Sequence, residues 1–330
     1  MTKRGQPSIL GLWDARAQAP GLGGLIVLVA EAQARAAQLH GGVAGICFVD
    51  GGRGGPMRPV EADGAPLGGV LLAFKGIDRL YRAPDLDAAR EFMSASSGAI
   101  VPWPALDTAD HRGLLTRPYG DSRPLQQMHR EGVRIPAVEM KSPHVQWALE
   151  LYDRRVAPRL PVVVHLKNAP GGKGESNADF DAWHGFLEAC RDRADVAFLL
   201  IGNEPVDPRI SGLPNVLQTR ALGASLPGEL ALIQTAFAYM GMASGPCAMA
   251  MFGPAPYLLF KNPGHHEEQM ALELGGAERF PFARPGQKLL RVRETRDNLR
   301  AGFEELMSFA RRSDWERRID RLRSPAGSAA

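Results

Sequence analysis

The sequence predicts an α/β protein made of two parallel sheets, each covered by helices, in two halves that face a cleft. Three observations carry this. Short apolar runs such as Val43–Asp50 (VAGICFVD), Val162–His165 (VVVH) and Val196–Gly202 (VAFLLIG) end in polar or glycine-rich loops, as buried parallel strands do. Amphipathic stretches of helical length lie between them, and parallel neighbours need such crossovers. The chain has 330 residues, 45% apolar and 23% charged, enough for about two domains of ordinary globular composition.

Each element has a local reason. Gly23–Leu39 is alanine-rich and interrupted by polar residues, as a helix is, and Val43–Asp50 is the strand that follows. Val70–Phe74 (VLLAF) reads as a further strand. Leu86–Ser94 reads as a helix capped by Asp85. Ala99–Val101 is a short strand before Pro-Trp-Pro. Residues 105–135, rich in arginine and proline, carry no clear period. Lys141–Arg155 is a helix with Ser142 as cap and Pro143 in its first turn. Two prolines between Val156 and Pro161 mark a linker. Beyond it come strand Val162–His165 and helix Ala178–Arg191, whose Phe180, Trp183, Phe186, Leu187 and Cys190 share one face. Strands Val196–Gly202 and Val216–Thr219, helix Leu226–Ala238, strand Tyr239–Met242, a helix start at Gly245–Met251 and strand Ala255–Phe260 complete the half. The predicted domains are 1–157, 158–295 and a charged helical tail, 296–330, that packs back on the first domain.

Composition excludes several classes. There are 37 glycines and 26 prolines without a Gly-X-Y period, so the surplus belongs to loops rather than to collagen. A net charge of +3, from 39 basic and 36 acidic residues, does not suit a nucleic-acid binder. Cys47, Cys190 and Cys247 form no CxxC pair and read as buried apolar residues in a reducing cytoplasm. No metal site is expected: His265-His266-Glu267-Glu268 reads as a solvated loop. The longest apolar runs fall far short of the ~20 residues a membrane span needs, which leaves only peripheral membrane association and a cytoplasmic setting.

Candidate site residues cluster at predicted strand ends, where open α/β sheets bind ligands. After VVVH comes Lys167-Asn168-Ala169-Pro170-Gly171-Gly172-Lys173-Gly174, with two lysines and a flexible backbone suited to a phosphate. It is neither a Walker A loop nor a dinucleotide fingerprint. The turn Ser244-Gly245-Pro246 joins a strand to a helix start, with Ser244 suited to cap it and free N–H groups suited to an anion. Asn203 and Glu204 end a strand, where a carboxylate can hold a sugar or ribose hydroxyl. His165 ends another, placed to act as base, acid or phosphate donor. A solvated loop, an ordinary turn and a structural histidine are the plain alternatives at these positions.

The order VVVHLKN, FDAW, FLLIGNEP, LPNV, LGASLPGELALIQTA, MGMASGP, FGPAPYLLF, over residues 161–262, resembles the nucleotide-sugar-binding half of GT-B glycosyltransferases, whose fold is two Rossmann-like domains. It is most similar to the heptosyltransferase family, with an echo of fucosyltransferase-like families. The sequence departs from those patterns at Ala243, Ala248 and Lys167, where the families carry Asp, His and Arg, so the resemblance does not specify the sugar. It implies that Lys167 and the Ser244–Pro246 turn face a diphosphate, beside the substrate-binding candidates Asn168 and Lys173 of the same loop. It implies that Asn203 and Glu204 line the donor pocket, and that Gln218 and Thr219 lie near the base. The implied activity is metal-independent transfer of a sugar from a nucleotide-sugar to a glycan, lipid-linked or protein acceptor in bacterial glycan assembly, with the nucleotide-sugar as substrate and no cofactor. The expected base comes from the opposite domain: Asp14 first, Glu139 second. The alternatives are a nucleotide-sugar epimerase or hydrolase on the same fold, and a non-catalytic nucleotide-sugar-binding accessory protein.

Overall fold

A computed structural model describes residues 6–52, 54–96, 99–169 and 176–324. The chain divides into two compact units after Val138.

The first unit contains β1 (Ser8–Asp14), α1 (Leu22–Gln38), β2 (Gly42–Val49), β3 (Arg58–Val60), α2 (Gly68–Leu71), β4 (Leu80–Ala83), α3 (Leu86–Ala95), β5 (Ile100–Trp103) and α4 (Arg123–Arg130). Its strand order is β3-β4-β2-β1-β5, parallel except for β3. Leu10 and Leu12 of β1 and Cys47 and Val49 of β2 pack with Leu86, Ala89 and Met93 of α3 on one face. Ile9 packs with Ala32 and Ala36 of α1. Alternate residues of one strand thus feed opposite layers, as the pleat requires. Asp85 caps α3 by accepting from Ala88 N at 2.8 Å, as its position predicts.

The second unit runs α5 (Ser142–Leu151), β6 (Leu160–His165), α6 (Phe180–Ala189), β7 (Val196–Ile201), α7 (Pro208–Ser211), β8 (Val216–Gln218), α8 (Leu226–Thr235), β9 (Ala238–Met242), α9 (Cys247–Met251), β10 (Tyr257–Phe260), α10 (Glu267–Leu274), β11 (Gln287–Leu290), α11 (Arg296–Phe309) and α12 (Arg312–Arg323). All six strands are parallel, in the order β8-β7-β6-β9-β10-β11. This is the doubly wound order, and the direction of winding reverses between β6 and β9. Trp183 and Phe186 of α6, Phe198, Phe260 and Phe303 of α11 form an edge-to-face aromatic core on one face of the sheet.

Several expectations are corrected. Val70–Phe74 is not a strand; it continues α2 into a turn, and β4 follows instead. A short apolar run has no period to tell helix from strand. Pro158 stands just before β6 and Pro161 lies within it, and α5, expected with the first domain, packs on α8 in the second unit. The charged tail is two helices. Trp315 of α12 donates to Thr235 O at 2.9 Å, and Gln146 of α5 donates to Leu322 O at 2.9 Å. All three cysteines are free and buried, as expected. Among the described residues no helix is long and apolar enough to cross a membrane.

Candidate functional site

Three residues singled out by the sequence, His165, Glu204 and Ser244, meet at the carboxyl edge of the second sheet. His165 ends β6, Glu204 follows β7, and Ser244 follows β9, so the first and last flank the winding reversal. His165 is 1% exposed. Its Nδ1 lies 2.9 Å from Ser244 Oγ, and its Nε2 lies 3.5 Å from Glu204 Oε1. The three side chains form one line, hydroxyl to imidazole to carboxylate. The imidazole facing Glu204 holds that carboxyl below its ordinary pKa, outweighing the opposing effect of partial burial.

Two glycines make room for this line. Gly241 pairs with His165 across the β6–β9 ladder, and a Cβ there would lie 2.5 Å from the His165 carbonyl oxygen. Gly202 has φ +105°, and a Cβ there would lie 2.6 Å from Glu204 Oε2 and 3.1 Å from the imidazole.

Asn168 donates from Nδ2 to Pro205 O at 2.6 Å, tying the loop after β6 to the loop after β7. Asn203 is exposed, and its N–H donates to Glu204 Oε2 at 3.2 Å. Lys167, Gly245 and Pro246 are half-buried. Lys173 lies outside the described residues. Gln218 is exposed at the end of β8, whereas Thr219 is fully buried.

Ser244 does not cap α9: the helix begins at Cys247 with Pro246 as cap residue, and the Ser244 hydroxyl is turned to the imidazole. With five residues, α9 has too few aligned peptide dipoles for the anion argument made from sequence. The positive charge comes from side chains. Lys261, immediately after β10, is 8% exposed and shares the edge with Lys167. Burial draws its ammonium below the ordinary lysine pKa, and the Lys167 charge acts in the same direction. The sequence reading missed Lys261, although the rule that selected His165, a polar residue ending an apolar run, also selects it.

Glu229 in the first turn of α8 is the second missed residue. Buried at 1% exposure, it accepts from Gly202 N at 3.1 Å, Thr219 Oγ1 at 2.9 Å, and Arg220 Nε and a terminal nitrogen at 2.9 and 2.8 Å. It fixes the loops after β7 and β8. Thr219 thereby braces the loop after β8, its hydroxyl bonded to Glu229.

Asp14 ends β1 and is fully buried. Oδ1 accepts from Arg16 N and Nε at 3.1 and 2.8 Å, and Oδ2 accepts from an Arg16 terminal nitrogen at 2.7 Å and Leu115 N at 3.0 Å. Both oxygens are engaged, so in this arrangement Asp14 holds a loop instead of standing ready for a proton. Glu139 is half-buried in the irregular segment before α5 and belongs to the second unit, contrary to its predicted place. In the first unit a cavity of about 370 Å³ opens at the ends of β2 and β4, lined by Asp50, Arg58, Arg82 and Pro84. Arg82 Nε donates to Asp50 Oδ2 at 2.6 Å, and Arg58 on β3 is the register partner of Arg82 and lines the same cavity. Among the described residues no cluster of three or more His, Cys, Asp or Glu is arranged to hold a metal ion.

Two doubly wound sheets of this kind match the fold of solved GT-B glycosyltransferase structures. Among solved structures the chain is similar to a glycosyl transferase of family 9 from Veillonella parvula DSM 2008, with 11% identity and a TM-score of 0.51 over 95% of each chain. It is similar to the E. coli heptosyltransferase WaaC with ADP-2-deoxy-2-fluoro heptose, with 10% identity and a TM-score of 0.51 over 90% of this chain and 99% of that one. The E. coli heptosyltransferase WaaC with ADP gives 12% identity and a TM-score of 0.50. At these identities the likeness is one of fold. No family model matches the sequence, and no curated protein matches it.

Proposed function

We infer that this chain is a glycosyltransferase that holds a nucleotide-sugar at the carboxyl edge of its second sheet. The observation carrying the reading is the convergence of Lys167, Lys261, Ser244, His165 and Glu204 at the winding reversal of a doubly wound sheet, in a fold shared with heptosyltransferase structures. Transfer breaks the bond between the anomeric carbon and the diphosphate oxygen and forms a bond to an acceptor oxygen. Negative charge develops on the departing diphosphate. Two ammoniums and the Ser244 hydroxyl stabilise that charge, so the step runs without a metal ion. Glu204 and Asn203, at the rim, hold sugar or ribose hydroxyls. The acceptor, a glycan, lipid-linked or protein hydroxyl, docks on the first unit. The Arg58–Arg82 pair there supports an acceptor bearing a negative charge.

The engaged oxygens of Asp14 favour a second reading, a nucleotide-sugar-binding protein that does not catalyse transfer. One series separates the two. A thermal-shift screen of nucleoside diphosphates and nucleotide-sugars identifies a ligand that raises the melting midpoint. Release of nucleoside diphosphate from that nucleotide-sugar, with and without candidate acceptors, is then followed in wild type, Asp14→Asn and Arg58→Gln. A transferase turns over, and Arg58→Gln raises the KM for an anionic acceptor. A binder shifts the midpoint and shows no turnover. No shift with any ligand contradicts both. If Asp14→Asn abolishes turnover with its midpoint unchanged, Asp14 returns to the role of base.

A further inference from the structure

We propose that His165 is a positioning residue whose ring takes up a proton when an anion binds at Ser244. The inference rests on the donor-site reading above and assigns how that site couples to pH.

At 1% exposure the imidazole does not itself reach a ligand; it acts through Ser244 and Glu204. Its orientation is fixed on both sides. Gly202 and Gly241 leave no more space than the ring and its backbone need, and Nε2 and Nδ1 each have one partner. Glu204, as a carboxylate, only accepts, so Nε2 carries the hydrogen that faces it. Ser244 has a single hydrogen. Without a ligand that hydrogen goes to Nδ1, at 2.9 Å, or to Met242 O, at 3.2 Å.

An anionic oxygen in front of Ser244 also only accepts, so it takes the Ser244 hydrogen. The Ser244 oxygen then offers a lone pair to Nδ1, which must carry a hydrogen to use it. The ring now bears hydrogens on both nitrogens. If instead Nε2 gave up its hydrogen, it would present a lone pair to the Glu204 carboxylate, and that contact becomes favourable only when Glu204 is protonated. Either route takes one proton from solvent and places it on the His165–Glu204 pair.

The groups around the ring set the balance. Lys167 in the loop after β6 and Lys261 just after β10 oppose the added charge; Glu204 after β7 and the bound anion favour it. Tyr239 on β9 and Cys247 on α9 are buried and neutral, their ionisation pushed up by burial.

The test is calorimetric titration with pyrophosphate, ADP, GDP and UDP at about pH 8. The titration is repeated in buffers of low and high ionisation enthalpy. The dependence of the observed heat on the buffer gives the number of protons taken up. Wild type is expected to take up close to one proton per diphosphate. His165→Asn keeps an amide beside Ser244 but cannot titrate; it is expected to lose the uptake, with affinity falling about tenfold, one oriented hydrogen bond. Ser244→Ala removes the hydroxyl and is also expected to lose the uptake, and it decides the matter if His165→Asn does not fold. Binding without uptake in wild type overturns the inference and leaves the donor site standing. Uptake that persists in His165→Asn and Ser244→Ala also overturns it and assigns the proton to Lys261. No binding by any of the four compounds overturns the donor-site reading itself.

Discussion

A carboxylate's role depends on what its oxygens already hold, and two carboxylates named from the sequence separate on this basis. Asp14 spends both oxygens on Arg16 and Leu115 N, fully buried. Glu204 faces an imidazole on one side and remains partly exposed on the other. The sign of its pH dependence follows. Its folded-state pKa is lowered, so its contribution to stability is complete above the unfolded-state value of about 4.3 and is lost as pH falls through the lower folded value. Between about pH 5 and pH 3 the melting midpoint of wild type should therefore fall more steeply than that of Glu204→Gln; parallel falls would show that the His165 contact contributes nothing. His165, Lys167, Asn168, Asn203, Glu204 and Ser244 were legible because strand ends are legible. Glu229 was not, because it sits inside a helix and becomes relevant only when folding brings Gly202, Thr219 and Arg220 to it.

At the scale of elements, the continuous apolar runs of the second unit were read correctly, while the run Val70–Phe74 and the mixed strands were not. VVVH and VAFLLI are buried along their whole length, and composition alone reveals them. β4 (LYRA) carries an arginine that pairs with Asp50, and the edge strand β11 (QKLL) carries a buried Gln287 that donates to Gly253 O and Ala255 O. Their polar residues hide the pattern until tertiary partners are known. β1 (SILGLWD) sits at the centre of its sheet, yet its short run is broken by a glycine. The tail was legible as helical but not as two helices. α11 starts with a capping box: Asn298 N donates to Thr295 Oγ1 at 3.2 Å, and Thr295 N donates to Asn298 Oδ1 at 2.8 Å. Since α11 places Phe303 in the aromatic core, Thr295→Ala should destabilise the second unit by about 1 kcal/mol in denaturant unfolding. A change below about 0.3 kcal/mol would show that core packing alone holds the helix end.

At the scale of the molecule, the same winding occurs twice. Each unit places its first strand beside the point where the order reverses, β1 against β5 and β6 against β9. The second unit gathers lysines, a hydroxyl and an imidazole there, and the first gathers a satisfied carboxylate. The two-domain α/β architecture was legible from length and alternation. The boundary was not, because Pro158 and Pro161 resemble a linker in sequence yet stand just before β6 and within it, whereas α5 is joined to the second unit by its packing on α8. The central claim is that the carboxyl edge of the second sheet binds a nucleotide-sugar through its diphosphate. The most direct measurement is the affinity of the nucleoside diphosphate that stabilises the protein, titrated into wild type and the Lys167→Ala/Lys261→Met double variant under identical salt. Each lost charge-assisted contact is worth about 1.5–3 kcal/mol, so the account predicts that the double variant binds at least a hundredfold more weakly while its melting midpoint without ligand holds. Equal affinity in the two proteins would contradict it.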